Sequence, residues 1–271
     1  MSSTHPRILE IALKRPEKFF KYTALDGERR EWTRNLVVNS DLFFARPSMF
    51  NDPLDCRIPP SFEADPVDIE RFWRDKWARQ GRPPRSQEEL DRLIAKSATE
   101  SGRQELTKVY YDLLDTYGIA CFNSRPDNFL LWSYYAASHA GVAVRFDTGD
   151  KFLEQIPQPY LPLKVEYAKD FPRVSLYDPD RLRFIQNTLG TKAEAWQHEE
   201  EWRLIAIGRS GITRMPTGMI DGLVLGLRTP PQVEIEARGW IAEAGRDIEL
   251  MRVRHRANSF ALEVVPADSV A

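Results

Sequence analysis

The chain contains very little cysteine, with Cys56 and Cys121 as its only two. Two cysteines exclude a disulfide scaffold and a four-cysteine zinc site. We therefore expect both thiols to be reduced and to lie in or near the core, which fits the cytoplasm.

Long apolar runs are also missing. No run approaches the roughly 18–20 residues that a membrane span requires. Residues 1–7 lack the apolar core of a signal peptide. We expect a cytoplasmic protein that has no membrane partner.

Three motifs of common enzyme classes are absent. The sequence has no Gly-x-Gly-x-x-Gly after a strand, no P-loop and no His-Glu-x-x-His. The four histidines are scattered, and none pairs with another at the spacing of metal ligands. A strong excess of one charge is lacking too, since the net charge is -2. That balance argues against a globally basic nucleic-acid binder but leaves room for a local basic groove.

The length of 271 residues is enough for one sizeable core. We expect a single α+β domain over residues 1–271, because strands and helices are intermixed without a regular β-α-β repeat, which indicates a mixed or antiparallel sheet. Residues from about 63 to 117 turn charged and helical, and we interpret them as a helical insertion or lid. Their charge is more typical of a solvated face than of a ligand site.

The periodicity predicts strands at 19–23, 42–45, 118–122, 141–147, 163–167, 204–207, 222–226, 248–253 and 262–265. It predicts helices at 7–13, 67–80, 86–101, 103–117, 129–137, 178–200 and 232–244. Ser86 suits the start of the second charged helix, where Glu88 and Glu89 follow it.

The strongest functional signal lies at residues 196–208, where three glutamates between two tryptophans precede an apolar segment that Gly208 ends. Alternation along a strand would put Glu199, Glu201 and Arg203 on one face. Two like charges this close repel each other, which suits a site that handles protons or a developing cation. The alternative is a solvated charge run with Arg203 as its salt-bridge partner. The flanking tryptophans favour the site.

Three phrases carry a family resemblance: Phe-Asn-Asp-Pro-Leu-Asp at 50–55, Leu-Trp-Ser-Tyr-Tyr-Ala at 131–136, and Trp-x-x-Glu-x-Glu-Trp-Arg at 196–203. Together they resemble a widespread bacterial family that is known only as a domain of unknown function. That resemblance implies no activity by itself.

A second resemblance implies an enzymatic activity. Residues 42–50, Leu-Phe-Phe-Ala-Arg-Pro-Ser-Met-Phe, are similar to the strand and turn of DNA-targeting ADP-ribosyltransferase toxins. Glu199-x-Glu201 is similar to the Glu-x-Glu of arginine-directed ADP-ribosyltransferases. The resemblance implies a split β-sheet core, NAD as substrate and a setting in bacterial toxins or phage defence. The chain departs from the pattern at Lys21-Tyr22, where the usual first-motif His or Arg is replaced, and it lacks the Ser-Thr-Ser phrase.

The same resemblance implies roles for particular residues. Glu201 would stabilise the positive charge that develops on the ribose, and Glu199 would activate the acceptor as a base. Arg46 would bind the pyrophosphate bidentately. The remaining NAD-binding candidates are Lys21 for phosphate, Tyr22 or Trp132 for stacking on nicotinamide, and Asn51 and Ser133.

Other interpretations remain open at this point. Arg46 also suits a structural ion pair with Asp52 or Asp55, and the aromatic residues at 132–135 also suit packing. The second interpretation is a metal-dependent nuclease or phosphoesterase, for which the candidates are Asp52, Asp55, Lys192, Glu199 and Glu201. A third reading is a non-enzymatic module that binds a partner through 63–117. No motif identifies the acceptor, which is DNA, RNA, another protein or water.

Overall fold

A computed structural model describes residues 14–83, 86–149 and 160–269. The chain divides into two compact units. We call the first the sheet unit, which comprises residues up to 45, 118–164 and those from 195 onward. The second, the helical unit, comprises 46–117 and 165–194. The helix expected at 7–13 lies outside the described residues.

The strands are β1 Lys18–Thr23, β2 Asp41–Phe44, β3 Gly118–Asn123, β4 Val142–Asp147, β5 Tyr160–Lys164, β6 Glu166–Ala168, β7 Thr191–Ala193, β8 Glu201–Ala206, β9 Gly211–Arg214, β10 Ile220–Leu225, β11 Glu249–His255 and β12 Leu262–Pro266. The α-helices are α1 Glu28–Asn39, α2 Pro66–Arg79, α3 Gln87–Ser97, α4 Glu100–Leu114, α5 Phe129–Tyr135, α6 Arg181–Leu189 and α7 Pro231–Ala244. Short 3-10 helices span Pro47–Met49, Glu194–Glu199 and Thr217–Met219.

The sheet unit is built on an eight-stranded sheet in the order β12-β11-β10-β4-β1-β3-β8-β5. Strands β10 and β11 are parallel, whereas the other neighbouring pairs of this sheet are antiparallel. Strands β2 and β9 form a separate antiparallel pair. A mixed sheet combined with helices confirms the α+β class that the sequence predicts.

Helices cover both faces of the large sheet. On one face, Phe19, Phe122 and Trp202 join a core with Leu36 of α1 and Trp240 of α7. On the other face, α5 packs through buried side chains against β1, β4, β10 and β11, and the residues involved include Phe20, Tyr22, Leu131, Trp132, Ala143, Val224 and Met251. Alternate residues of β1 therefore serve opposite faces, as a strand requires. This two-sided burial fixes the register of the central strands.

The helical unit begins each of its three successive helices with a side-chain cap. Asp65, Ser86 and Thr99 accept hydrogen bonds from backbone N–H groups in the first turns of α2, α3 and α4. The expected break between the second and third helices at Gly102 is wrong, because the break lies at Ala98–Thr99 and Gly102 belongs to α4. A Cβ at Gly102 would lie 1.9 Å from the carbonyl oxygen of Lys96, so close packing explains this glycine.

The helix expected at 178–200 is also wrong. Only Arg181–Leu189 is α-helical, since the helix ends at Gly190 and the chain then enters β7 and a 3-10 helix. Strand β7 pairs in parallel with β6, and this pairing also splits the strand that we expected at 163–167. In the part of the chain that the structure describes, no helix is both long and apolar enough to cross a bilayer.

Candidate functional site

The start of β8 contains a backbone kink between two acids. Glu200 has a φ of 48°, in the left-handed region, between the 3-10 helix Glu194–Glu199 and the strand. For a residue with a Cβ that conformation costs roughly 1–2 kcal/mol. Glu199 and Glu201 are each only 3% exposed, whereas Glu200 is exposed. The chain therefore accepts backbone strain at a place where it buries two carboxylates.

Glu201 is bound by the arginine two residues further along the same strand. Arg203 Nε donates to Glu201 Oε1 at 2.8 Å, and Arg203 Nη2 donates to Oε2 at 3.2 Å. Arg203 is 1% exposed, so the whole pair lies in the interior. The prediction that Glu201 and Arg203 share one strand face, opposite Trp202, is confirmed. Glu199 precedes the strand, so alternation does not determine its direction.

Glu199 is held by helix α5 and by the end of β3. The Tyr135 hydroxyl donates to Glu199 Oε1 at 2.6 Å. The Asn123 side chain donates to the Glu199 carbonyl, and the Asn128 side chain donates to the His198 carbonyl at 2.6 Å. Asn128 also caps α5 by accepting from its first N–H groups. Helix α5 is thus tied to this segment at both of its ends.

Lys21 and Cys121 lie next to this acid cluster. Lys21 Nζ donates to the Cys121 carbonyl at 3.3 Å. Burial lowers the pKa of Lys21, and this is opposed by the nearby Cys121 and Glu201. Burial raises the pKa of the Cys121 thiol well above its ordinary range, and Glu201 adds to the effect. Cys121 therefore stays protonated, which disfavours a nucleophilic role. The structure does bring three of the sequence candidates, Lys21, Glu199 and Glu201, into one region of the sheet unit.

The two aromatic residues proposed for stacking are packed inside. Trp132 is 0% exposed and Tyr22 is 8% exposed, and their rings meet edge to face at 5.0 Å. The Tyr22 hydroxyl donates to the Arg125 carbonyl, and Trp132 Nε1 donates to the Pro126 carbonyl, each at 2.7 Å. Neither ring offers an open face to a ligand in this arrangement. Their role in stacking on nicotinamide stays a prediction, and the contacts observed are those of packing residues.

Ser133 has a histidine neighbour that the sequence did not suggest. Its hydroxyl donates to the Phe129 carbonyl at 3.1 Å and lies 3.1 Å from His139 Nε2. His139 follows Ala137 and Ser138 in a run of three residues with positive φ. The contact joins α5 to the turn that follows it.

Arg46 and Asn51 lie in the helical unit, and both are exposed. Of the acids named for the nuclease alternative, Asp52 and Asp55 belong to the helical unit, and Glu199 and Glu201 belong to the sheet unit. Within residues 14–83, 86–149 and 160–269, no three His, Cys, Asp or Glu side chains gather in a way that suits a metal ion.

Comparisons with known proteins agree with the first resemblance only. Residues 131–204 match a family model described as "Protein of unknown function (DUF2971)". The match begins on α5 and ends on β8, and it includes the Tyr135–Glu199 hydrogen bond, which joins α5 to the 3-10 helix before β8. No curated protein and no solved structure matches the chain significantly. The phrase at 50–55 lies outside the matched segment.

Sequence reasoning missed the residues that position the acids. From the sequence, Tyr135 is expected to serve packing, and neither Asn123 nor Asn128 is among the candidate residues. Asn128 had a usable signal, since an Asn directly before a predicted helix is a common N-cap. Asn123 gave none, because it contacts Glu199 across 76 positions of the chain.

Proposed function

We propose that the chain is an ADP-ribosyltransferase-like enzyme that consumes NAD, with Glu199 and Glu201 as its acids. One observation carries the proposal: two carboxylates are buried at the start of β8, on either side of a residue with a left-handed backbone conformation. Strained backbone and buried like charges are features of functional sites, because a structural role rarely needs either. The reaction class rests on the resemblance of Glu199-x-Glu201 to the Glu-x-Glu of arginine-directed ADP-ribosyltransferases.

The chemistry of NAD cleavage suits these groups. Breaking the bond between nicotinamide and ribose leaves positive charge on the ribose, which a fixed carboxylate in a dry site stabilises. Glu201 takes this role once its bidentate contact with Arg203 opens, because in the closed arrangement the guanidinium neutralises the carboxylate. Glu199 takes the proton of the acceptor, and the Tyr135 hydroxyl holds its carboxylate in place.

The proposed reaction requires that NAD can reach the two buried acids. Both carboxylates are 3% exposed, so the ribose reaches them only when the segment around Glu200 opens. Arg46 remains the proposed pyrophosphate ligand, because a guanidinium binds phosphate oxygens bidentately. Lys21, Asn51 and Ser133 stay in the proposed NAD-binding set. The acceptor is DNA, RNA, protein or water, and the proposed setting is a bacterial toxin or phage-defence system.

The test measures nicotinamide release from NAD by the purified protein, with and without cell extract, and transfer of adenylate label to macromolecules. Glu199→Gln and Glu201→Gln keep the shape of each side chain and remove its charge. Each is expected to lower turnover by about 100-fold or more. Glu200→Gln is the matched control, because Glu200 lies between them and is exposed. Its turnover is expected to equal that of the wild type.

Two results would remove the proposal. The first is a folded wild-type protein that releases no nicotinamide even with extract present. The second is full activity in both Glu199→Gln and Glu201→Gln when far-UV spectra show that each variant is folded at the assay temperature. Arg46→Lys adds a separate arm, since the loss of bidentate binding is expected to raise KM for NAD rather than abolish turnover.

A further inference from the structure

The helical unit contains a pocket that the proposed function does not use. Its volume is about 290 Å³. Most of its lining is apolar and includes Leu54, Ile58 and Phe171, whereas three lining residues carry a charge: Lys169, Asp170 and Lys192. An apolar wall with a few charged groups is the usual composition of a site for a small molecule.

The pocket lies at the carboxyl ends of two parallel strands. Ala168 ends β6 and Ala193 ends β7, and the two residues are paired in register. Both line the pocket, and so do residues 169–172, which follow β6 directly. In sheets with parallel strands, ligands commonly bind beyond the carboxyl ends of the strands, where the connecting loops form the walls.

The apolar part of the pocket is only half covered by the protein. Ile58 is 2% exposed and belongs to the floor. Leu54 and Phe171 line the same pocket but are 56% and 54% exposed, so these two large side chains stand at the rim. Covering such surface with an apolar ligand is favourable, because apolar area is removed from water.

The floor also carries an ammonium group that faces the pocket. Lys192 contributes to the pocket wall, and its side chain is only 7% exposed. Its Nζ lies 3.6 Å from Oδ2 of Asp55, whose side chain is 4% exposed and is not part of that wall. An ion that enters the pocket therefore meets the ammonium before the carboxylate. Attraction at this buried position is screened less than at the surface, so the floor favours an anion over a cation.

The charges at the rim act more weakly than the charge at the floor. Lys169 and Asp170 are both exposed, and Lys169 Nζ lies 3.9 Å from Glu194 Oε2 with 78% of the lysine side chain exposed. Water and salt screen exposed charges strongly. Lys192 therefore sets the preferred sign of the ligand charge, while the carboxylates of Asp170 and Asp55 keep that preference moderate.

We propose that this pocket binds a small aromatic carboxylate. The ring of the ligand lies against Leu54, Ile58 and Phe171, and its carboxylate lies toward Lys192. The small size follows from the volume, which is close to the lower end of the roughly 300–1,000 Å³ of ligand pockets. The negative charge follows from the position of Lys192 in front of Asp55.

The test uses three probes that share a ring and differ in charge: benzoate, benzamide and benzylamine. Each is titrated into the full chain and followed by ligand-observed NMR and calorimetry. Benzoate is expected to saturate one site and to bind about 10-fold tighter than benzamide, with benzylamine the weakest. Absence of saturable benzoate binding up to about 10 mM overturns the proposal. Benzamide or benzylamine binding as tightly as benzoate overturns it as well.

A pair of phenylalanine variants locates the site. Phe171→Ala removes a rim side chain and is expected to weaken benzoate binding about 10-fold. Phe260→Ala is the matched control, because Phe260 is 99% exposed and lies in the sheet unit. Equal effects of these two substitutions would place the binding elsewhere and overturn the proposal.

Lysine variants test the charge argument. Lys192→Gln removes the ammonium at the floor, so the folded variant is expected to bind benzoate no tighter than benzamide. Lys169→Gln, at an exposed position, keeps the test decisive if Lys192→Gln does not fold. It is expected to weaken benzoate about 2-fold and to leave benzamide unchanged, since an exposed charge contributes little. Lys108→Gln is its control, because Lys108 is exposed on α4 outside the pocket.

Two results from the lysine variants would overturn the proposal. One is an unchanged preference for benzoate in a folded Lys192→Gln protein. The other is an equal effect of Lys169→Gln and Lys108→Gln on benzoate binding. Neither measurement involves NAD, so failure of this proposal is distinguishable from failure of the proposed function.

Discussion

The buried pair of Glu201 and Arg203 makes a sharp prediction about stability. Arg203→Met keeps an unbranched side chain and removes the guanidinium that donates to both carboxylate oxygens. The Glu201 carboxylate would then stay buried without the charge that neutralises it. Breaking a buried ion pair in this way costs about 3–5 kcal/mol. Glu201→Gln should cost a similar amount, because it leaves the Arg203 charge in the interior.

The double variant Glu201→Gln/Arg203→Met is expected to recover most of this loss. With both charges of the pair removed, neither partner is left facing a missing counter-charge, and such replacements are often nearly neutral. The free energies of unfolding of the four proteins form a double-mutant cycle. If each single substitution costs about 3–5 kcal/mol and the double variant about 1 kcal/mol, the coupling free energy is about 5–9 kcal/mol, above the values usual for residues in contact.

Urea unfolding followed by circular dichroism measures the cycle, and thermal unfolding provides a second reading. A loss of about 3–5 kcal/mol corresponds to a fall in Tm of about 6–20 °C at this chain length. The reasoning is refuted if each single substitution costs less than about 1 kcal/mol. It is equally refuted if the cost in the double variant equals the sum of the two single costs.

Two further predictions concern backbone strain and pH. Glu200→Gly should be more stable than Glu200→Ala by about 1 kcal/mol in urea unfolding, because only glycine adopts a positive φ without a steric cost; equal stability would remove the strain argument. Burial and the nearby Arg228 lower the pKa of His139. The unfolded chain therefore binds the proton first as pH falls, so the free energy of unfolding should drop below about pH 6.5. His139→Gln should flatten that drop, whereas His255→Gln, at an exposed position, should not.

Much of the sheet could be predicted because its strands are short, apolar and bounded by turn residues. Residues 118–122 and 141–147 read as strands, and the structure has β3 and β4 there. Helix α1 was missed because only Thr33, Leu36 and Val37 are buried on it, too few to give a clear helical period. The prediction of a helix over 178–200 was wrong because it gave no weight to Gly190. The helix ends there, and β7 follows and pairs with β6.

In the candidate site too, contacts between near neighbours in the sequence could be predicted and contacts between distant residues could not. The pairing of Glu201 with Arg203 follows from local alternation, so the sequence predicts it. The hydrogen bond from Tyr135 to Glu199 joins residues 64 positions apart, so no local pattern contains it. The left-handed conformation of Glu200 was also invisible, because glycine and asparagine are the usual signals for it and glutamate is not.

Variants of the Glu201–Arg203 pair distinguish a structural role of this pair from a functional one. A buried ion pair is weak evidence for stability, since apolar replacements of similar volume are often as stable or more stable. If the double variant is as stable as the wild type, stability does not explain why the chain buries two charges at a strained turn. Loss of nicotinamide release in that same folded protein would then assign the pair to catalysis. Retained release would assign it to specifying how β8 joins the sheet, and the acid of the reaction would have to be Glu199 alone.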